Sequence, residues 1–227
     1  MSIDNPIELI SIHIPKTGGR SLLDVLLKEY GKDLDYRHER DEFFPEERFG
    51  ELRIDTFPAY IRAFHAHLMV RQVMPLIKLH HPKVITWVRD PVERITSNYY
   101  FFMQRIREGG ANEKQTKKRD YTLVEYATEG RKSNRMSAFL EGMLPEEFFF
   151  IGILEQFQDD MDELAGKMGW NSRGPYKHVN DNAGFKHNND CATQYKDIDD
   201  GMRHEIERLN EEDVRLYNEI KLIRGVE

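Results

Sequence analysis

The 227-residue chain has very little cysteine and no long run of apolar residues. Its one cysteine is Cys191, which excludes a disulfide within the chain and a paired-thiol metal site. No stretch approaches the ~20 consecutive apolar residues of a transmembrane helix, so no membrane span is predicted. A signal peptide has a basic region followed by an apolar one, and the first residues of this chain lack that pattern. We therefore expect a cytoplasmic protein.

The chain also lacks an excess of basic residues. It has 33 Lys and Arg against 40 Asp and Glu, for a formal net charge of −7. This balance argues against nucleic acid as a general partner. It leaves an anionic cofactor open, because only the local field at a pocket acts on a bound anion. The length predicts one domain over residues 1–227 with a sizeable core.

A glycine-bearing turn follows the first apolar run of the chain. Residues 7–14 are typical of a buried strand, and a helical pattern starts after residues 15–21, which read Pro-Lys-Thr-Gly-Gly-Arg-Ser. A strand, a tight loop and a helix N-terminus in this order direct backbone N–H groups and the positive end of a helix dipole at one spot. This arrangement favours a phosphate or sulfate. Lys16 adds a positive charge, and Thr17 and Ser21 add hydroxyl donors.

A second apolar and β-branched run, residues 83–88, predicts another buried strand. Asp90 can cap the helix that follows, and Pro91 suits its first turn. Arg89 follows the strand, and Ser97 lies eight positions later in the helix. Both side chains could reach a phosphate at the sheet edge, since the planar guanidinium of arginine binds phosphate oxygens in pairs.

Both motifs resemble those of sulfotransferases that use 3′-phosphoadenosine 5′-phosphosulfate (PAPS). The order Pro-Lys-Thr-Gly-Gly-x-Ser resembles their 5′-phosphosulfate loop, whereas a nucleoside-triphosphate P-loop has its lysine after the glycines. The order Arg-Asp-Pro-x-x-Arg-x-x-Ser, from residue 89, resembles their 3′-phosphate motif. Between the two, His65-Ala66-His67 is similar to the His-x-His segment of heparan sulfate 2-O-sulfotransferases and their bacterial relatives. The likeness covers most of residues 7–168.

The resemblance implies PAPS as the cofactor and adenosine 3′,5′-bisphosphate as the product. We expect no metal, because N–H groups, Lys and Arg would already bind this cofactor. The resemblance also implies that Arg89 and Ser97 bind the 3′-phosphate. The residues that it implies for the 5′-phosphosulfate are Lys16, Thr17, Gly18, Gly19, Arg20 and Ser21. Arg20 departs from the family pattern, which usually has Thr or Ser at this position. That corner of the loop therefore loses one hydroxyl donor, and Arg20 either replaces it with a charge or points to solvent.

Sulfuryl transfer resembles phosphoryl transfer, in which catalysis is mostly positioning and charge stabilisation. We expect Lys16 to neutralise the oxygen that departs with the phosphate, and a base to take the proton of the acceptor hydroxyl. The resemblance implies His67 as this base, with His65 orienting it or the acceptor. On an extended strand these two histidines point the same way. A histidine pair can also hold a metal, although no third ligand stands at a telling spacing. We expect His13, beside the loop, to be packed.

Alternating strand and helix patterns predict an α/β fold, a single P-loop-like domain with a mostly parallel central sheet flanked by helices on both faces. The predicted strands lie near residues 7–14, 60–65, 83–89 and 148–153. The predicted helices lie near residues 20–30, 68–78, 91–108, 122–129, 133–141 and 155–168, with two more in the tail. Ligands of such sheets bind outside the carboxyl ends of the strands, where both phosphate motifs lie.

Two polar segments allow two interpretations each. Residues 109–120, with four Lys and Arg between 114 and 119, are either a solvated loop or a lid or rail for an anionic acceptor. Residues 171–198 are either a surface loop or a lid over the cofactor.

The acceptor and the reaction class have alternatives as well. The His-x-His resemblance favours a polysaccharide, and a lipid-linked sugar, a small alcohol or a phenol are the other acceptors. A P-loop-like kinase of a small metabolite would need a Mg²⁺-binding acid at a strand end, where Asp90 is instead expected to cap a helix. A non-catalytic nucleotide-binding module would have no need of Lys16 and the histidine pair.

Overall fold

The computed structural model describes residues 7–37, 60–129, 132–172, 174–176 and 198–226. The chain divides into two compact units: Met1–Val88 with Ala138–His178, and Arg89–Ser137 with Val179–Glu227. The single domain over residues 1–227 stays a prediction. Cys191 and most of the segment 171–198 lie outside the described residues, so the lid interpretation of that segment stays open.

The first unit contains a five-stranded sheet in which every described pair of neighbouring strands is parallel. The strands are β1 (Leu9–Ile12), β2 (Leu34–Arg37), β3 (Ala63–Ala66), β4 (Lys83–Val88) and β5 (Phe150–Ile153). Their order across the sheet is β2-β3-β1-β4-β5. The predicted α/β class and parallel sheet are confirmed.

Nine α-helices accompany the sheet among the described residues. They are α1 (Gly19–Tyr30), α2 (Val70–His80), α3 (Pro91–Arg107), α4 (Glu113–Thr116), α5 (Leu123–Ala127), α6 (Arg135–Leu140), α7 (Phe157–Met168), α8 (Asp200–Leu209) and α9 (Glu211–Arg224). Short 3₁₀ turns precede β2, β5 and α7, at Gly31–Asp33, Pro145–Glu147 and Leu154–Gln156. None of the helices in the described ranges is both long enough and apolar enough to cross a membrane.

Helices cover both faces of the sheet in the first unit. The connection from β1 through α1 to β2 and the one from β3 through α2 to β4 run in opposite directions across the sheet. Right-handed crossovers therefore place α1 and α2 on opposite faces. In agreement, β1 and β3 are buried along their whole length, as strands enclosed on both faces are.

The core between the sheet and helices α1 and α7 is largely aromatic and aliphatic. Trp87 is one of its buried residues and contacts the rings of Phe150 and Phe157. Its indole ring occupies the space above Gly152, where an added Cβ would stand 2.2 Å from two ring atoms. Gly152 is therefore required on β5 because the large side chain of the neighbouring strand crosses over it.

The second unit has a helical core of its own. Helices α3, α5 and α8 bury a set of apolar side chains against one another: Val92, Ile95, Phe102, Leu123, Tyr126, Ala127 and Ile206. The predicted helices near 91–108 and 122–129 and the two tail helices are present here.

The structure adds two elements that the sequence patterns did not predict. The first is β2, an edge strand that reads Leu-Asp-Tyr-Arg, because alternating charged residues on a four-residue strand give only a weak apolar signal. The second is α4, inside the predicted loop 109–120. Asn112 caps it and Gln115 returns the hydrogen bond, a capping box that the sequence did contain.

Candidate active site

The predicted phosphate loop joins β1 to α1 in the first unit. Lys16 and Gly18 adopt left-handed backbone conformations, with φ of 74° and 87°. The hydroxyl of buried Thr17 donates a hydrogen bond to the carbonyl oxygen of Ile14, at 2.8 Å, and closes the turn. An added Cβ on Gly18 would stand 2.6 Å from a methyl carbon of Leu154. The turn therefore needs glycine at this position for both its conformation and its packing.

The N-terminus of α1 is not capped by its own residues. Gly18 stands at the N-cap position and has no side chain with which to accept a hydrogen bond, and no acidic residue lies in the first turn. Ser21 is buried in that turn, Lys16 is half-buried beside it, and Arg20 is exposed. The first N–H groups and the positive end of the helix dipole thus coincide with a lysine, an arrangement suited to an anion.

His65 and His67 differ in exposure and in hydrogen bonding. His65, on β3, is fully buried, and its Nδ1 lies 2.8 Å from the hydroxyl of Ser11 on β1. His67 follows the end of β3 and is exposed, and its Nδ1 lies 2.8 Å from the backbone carbonyl oxygen of His13. A carbonyl only accepts, so Nδ1 of His67 carries the proton and donates it. In the neutral ring, Nε2 of His67 is therefore the nitrogen that can accept a proton.

The third histidine of this group is His13, whose ring packs against both others. Its ring centroid lies 3.9 Å from that of His67 and 4.9 Å from that of His65, with the rings nearly parallel. The expectation that His13 is packed holds, since its side chain is 7% exposed. The sequence did not show that it packs on the proposed base, because this depends on the register that pairs Ser11 with His65.

The second predicted phosphate motif lies in the other unit, where a side chain caps the N-terminus of α3. Asp90 caps it by accepting a hydrogen bond from the N–H of Glu93 at 2.9 Å, and Pro91 is its first residue, as the sequence predicted. The guanidinium of Arg89 lies 3.6 Å from the Glu93 carboxylate, and Ser97 is half-buried one turn further along the helix. The other carboxylate oxygen of Glu93 lies 3.7 Å from Arg203 on α8.

The second arginine of this motif, Arg94, is fully buried. It donates a hydrogen bond to the carbonyl oxygen of Lys132 at 2.8 Å and lies 3.7 Å from the carboxylate of Asp213 on α9. Asp213 also accepts hydrogen bonds from the backbone N–H groups of Met136 and Ser137. Burial lowers the pKa of Arg94, and the Asp213 carboxylate opposes that shift. Arg94 thus ties three segments of the second unit together.

The basic segment near α4 is partly neutralised by neighbouring acids. Lys117 pairs with Glu113, Lys118 pairs with Glu129, and Arg119 pairs with Asp120. The Lys118–Glu129 pair is the least exposed of the three, and the ammonium of Lys118 also lies over the ring of Tyr121. These pairs reduce the positive field that a rail for an anionic acceptor would need, and that interpretation stays open.

No cluster of three or more His, Cys, Asp or Glu side chains with metal-binding geometry occurs within the described ranges. Asp90, the aspartate after β4 that a Mg²⁺-dependent kinase could use, is engaged as the cap of α3.

Comparison with known proteins assigns the chain to a family. Residues 1–218 match the Sulfotransferase family, so the chain belongs to it. A comparison with curated protein sequences finds no significant match. Among solved structures, mouse sulfotransferase SULT7A1 complexed with PAP aligns with 15% sequence identity and a TM-score of 0.48. The alignment covers 89% of this chain and 63% of that one, so the chain spans less than two thirds of that structure.

Proposed function

We propose that this chain is a PAPS-dependent sulfotransferase that transfers a sulfuryl group to the hydroxyl of an acceptor. The observation that carries this proposal is the N-terminus of α1, where Gly18 provides no side-chain cap and Lys16 lies in the preceding turn. The exposed His67 lies near this turn, because its Nδ1 binds the carbonyl oxygen of His13. Membership of the Sulfotransferase family supports the reaction class.

The loop fits the 5′-phosphosulfate of PAPS by the chemistry of its donors. The groups that would bind it belong to Lys16, Thr17, Gly18, Gly19, Arg20 and Ser21. Thr17 would contribute its backbone N–H, because its hydroxyl already donates to Ile14. Exposed Arg20 would supply a charge in place of the hydroxyl that the family pattern usually has there. The 3′-phosphate would be bound by the side chains of Arg89 and Ser97 in the second motif.

Lys16 would stabilise the charge that grows on the phosphate oxygen as its bond to sulfur breaks. PAPS supplies the sulfuryl group, and the product left in the site is adenosine 3′,5′-bisphosphate. Lys16 is half-buried at the turn, and charges act more strongly where water is partly excluded, so we expect it to stabilise the transition state strongly.

His67 would act as the general base, with Nε2 taking the proton of the acceptor hydroxyl as the new oxygen–sulfur bond forms. Its exposure allows an acceptor to approach, and because Nδ1 donates its proton to His13, Nε2 is the nitrogen that accepts one in the neutral ring. His65 is fully buried beside Ser11, so it would orient its neighbours rather than touch the acceptor. The difference in burial between the two histidines supports this division of roles.

We propose a carbohydrate as the acceptor, on the strength of the His-x-His resemblance, and a cytoplasmic location for the enzyme. Lipid-linked sugars, small alcohols and phenols are the competing acceptors. The kinase alternative is weakened because Asp90 is engaged as a cap. Binding of adenosine 3′,5′-bisphosphate in the absence of Mg²⁺ would separate the two reaction classes, and turnover would separate the enzyme from a non-catalytic binding module.

The test is a transfer assay with labelled PAPS and a panel of oligosaccharides, alcohols and phenols. We expect transfer by the wild type, with activity falling on the acid side of the pH profile because protonated His67 cannot accept a proton. We expect His67→Ala to lose transfer and to retain its affinity for adenosine 3′,5′-bisphosphate. Full transfer by His67→Ala together with loss in His65→Ala would exchange the two roles, and full transfer by both would place the base elsewhere.

A further inference from the structure

We propose that His13 is a positioning residue that fixes the ring of His67 beside the phosphate loop. The inference rests on the proposed function and adds to it a residue that the motifs do not assign. His13 acts on His67 in two ways: its carbonyl oxygen binds Nδ1 at 2.8 Å, and its ring stacks on the imidazole with centroids 3.9 Å apart. The first contact fixes the tautomer, and the second restricts the orientation of the ring plane.

The three histidines form a series from the core to the surface. His65 is fully buried and bound to Ser11, His13 is 7% exposed, and His67 is exposed. An exposed side chain ordinarily samples several rotamers, and holding it in one costs conformational entropy. The stack on a ring that is itself buried restricts His67 before an acceptor arrives.

Gly19 explains how the ring of His13 reaches this place. An added Cβ on Gly19 would stand 1.9 Å from Nε2 and 2.1 Å from Cδ2 of His13, distances that atoms cannot adopt. The His13 ring thus lies directly on the backbone of the first residue of α1. His13 therefore contacts both the phosphate loop and the proposed base. Its ring fits there because Gly19 has no side chain.

This contact gives Gly19 a role that differs from the usual one of a glycine in a phosphate loop. If the glycine served only to let the backbone approach the anion, its replacement would act independently of His13. If it serves to seat His13, the two positions are coupled, and their substitutions are not additive.

The experiment is a double-mutant cycle with His13→Ala, Gly19→Ala and the double variant. We expect His13→Ala to lower kcat about 10- to 100-fold, since a displacement of about 1 Å costs this much, and to leave the affinity for adenosine 3′,5′-bisphosphate unchanged. Gly19→Ala should lower kcat at least as far. The double variant should be no worse than Gly19→Ala alone, because the clash is absent once the ring is removed.

Two matched controls accompany the cycle. Gly166→Ala changes a glycine within α7 that has open space around it, and His204→Ala removes an exposed histidine of α8. Both should retain wild-type kcat. Losses that multiply in the double variant would overturn the seating of His13 on Gly19, and unchanged kcat in His13→Ala would overturn its positioning role.

A measurement without turnover separates this proposal from the proposed function. The NMR signals of the His67 ring, assigned by their loss in His67→Ala, should shift or broaden in both His13→Ala and Gly19→Ala. If they do so and the wild type transfers no sulfuryl group, the positioning holds and the proposed function fails. If they stay unchanged, the positioning is wrong whatever the activity. Should His13→Ala not fold, His13→Asn, which keeps a planar but smaller side chain, takes its place in both measurements.

Discussion

The two strand-to-helix junctions of this protein differ in how the N-terminus of the helix is capped. At the junction of β1 and α1, a left-handed glycine stands at the N-cap without a side-chain cap and no acid lies in the first turn, a helix terminus of the kind that favours an anion. At the junction of β4 and α3, Asp90 caps the helix and Glu93 lies in its first turn. An anion there would be bound by side chains, above all by Arg89.

If both junctions bind phosphate groups as proposed, the difference explains why the second needs more support from neighbouring side chains than the first. A loop that binds through backbone groups is fixed by its own turn, through Thr17 and the packing of Gly18. A long, flexible arginine must be held by neighbours. Glu93 provides this by lying within 3.7 Å of both Arg89 and Arg203, and Arg94 anchors the helix that carries them.

The largest effect is expected from the anchor of the second junction. Arg94→Met should lower the free energy of unfolding by about 3–5 kcal/mol, because it leaves the buried Asp213 carboxylate without its cation. Urea unfolding measures this loss. As a control, Arg208→Met breaks a pair with Glu205 on the surface of α8 and should leave the stability unchanged. Equal stability of the two variants would refute the anchoring role of Arg94.

The next largest effect tests the first junction. Lys16→Ala should lower kcat about 100- to 1,000-fold, because the charge on the departing oxygen grows in the transition state. Its affinity for adenosine 3′,5′-bisphosphate should fall much less. The comparison variant is Lys28→Ala, which removes an exposed lysine in the last turn of α1 and should have wild-type kinetics. Near-normal turnover of Lys16→Ala would remove this lysine from the mechanism.

A moderate effect is expected at Arg89. Arg89→Ala should weaken the binding of adenosine 3′,5′-bisphosphate by about 1.5–3 kcal/mol, the usual value of a hydrogen bond to a charged group. Calorimetry with this nucleotide and with adenosine 5′-monophosphate separates the two phosphates, because only the former carries the 3′-phosphate. Ser97→Ala should give a smaller loss in the same direction. An equal loss for both nucleotides would show that Arg89 does not bind the 3′-phosphate.

The smallest effect concerns the cap that distinguishes the two helices. Asp90→Ala should lower the free energy of unfolding by about 1 kcal/mol through the loss of the hydrogen bond to Glu93. Asp199→Ala removes the equivalent cap of α8, where Asp199 accepts from Met202, and should cost a similar amount. Only the Asp90 variant should also weaken nucleotide binding, since only that cap adjoins Arg89. Identical binding by both variants would separate the cap from the phosphate motif.

Local patterns in the sequence determined most of the secondary structure. Apolar runs that end at a glycine turn or at Asp-Pro mark the two junctions, because strand burial, left-handed turns and helix caps depend on residues a few positions apart. These signals predicted β1, β3, β4 and β5 and the cap at Asp90, which the structure confirms. Phosphate binding at the two motifs stays a prediction. The signals were too weak for β2, whose four residues alternate between apolar and charged.

Only the tertiary structure decided how the two histidines differ in burial and in hydrogen-bond partners, the difference from which their roles are proposed. The bonds of His65 to Ser11 and of His67 to His13 join residues 54 positions apart, and they depend on the register between β1 and β3. Register is set by the packing of the whole sheet, so no local pattern encodes it. The burial of Arg94 could not be predicted for the same reason. In the sequence it is the second arginine of a motif, whereas in the structure it is buried beside Asp213, which lies more than 100 positions later in the chain.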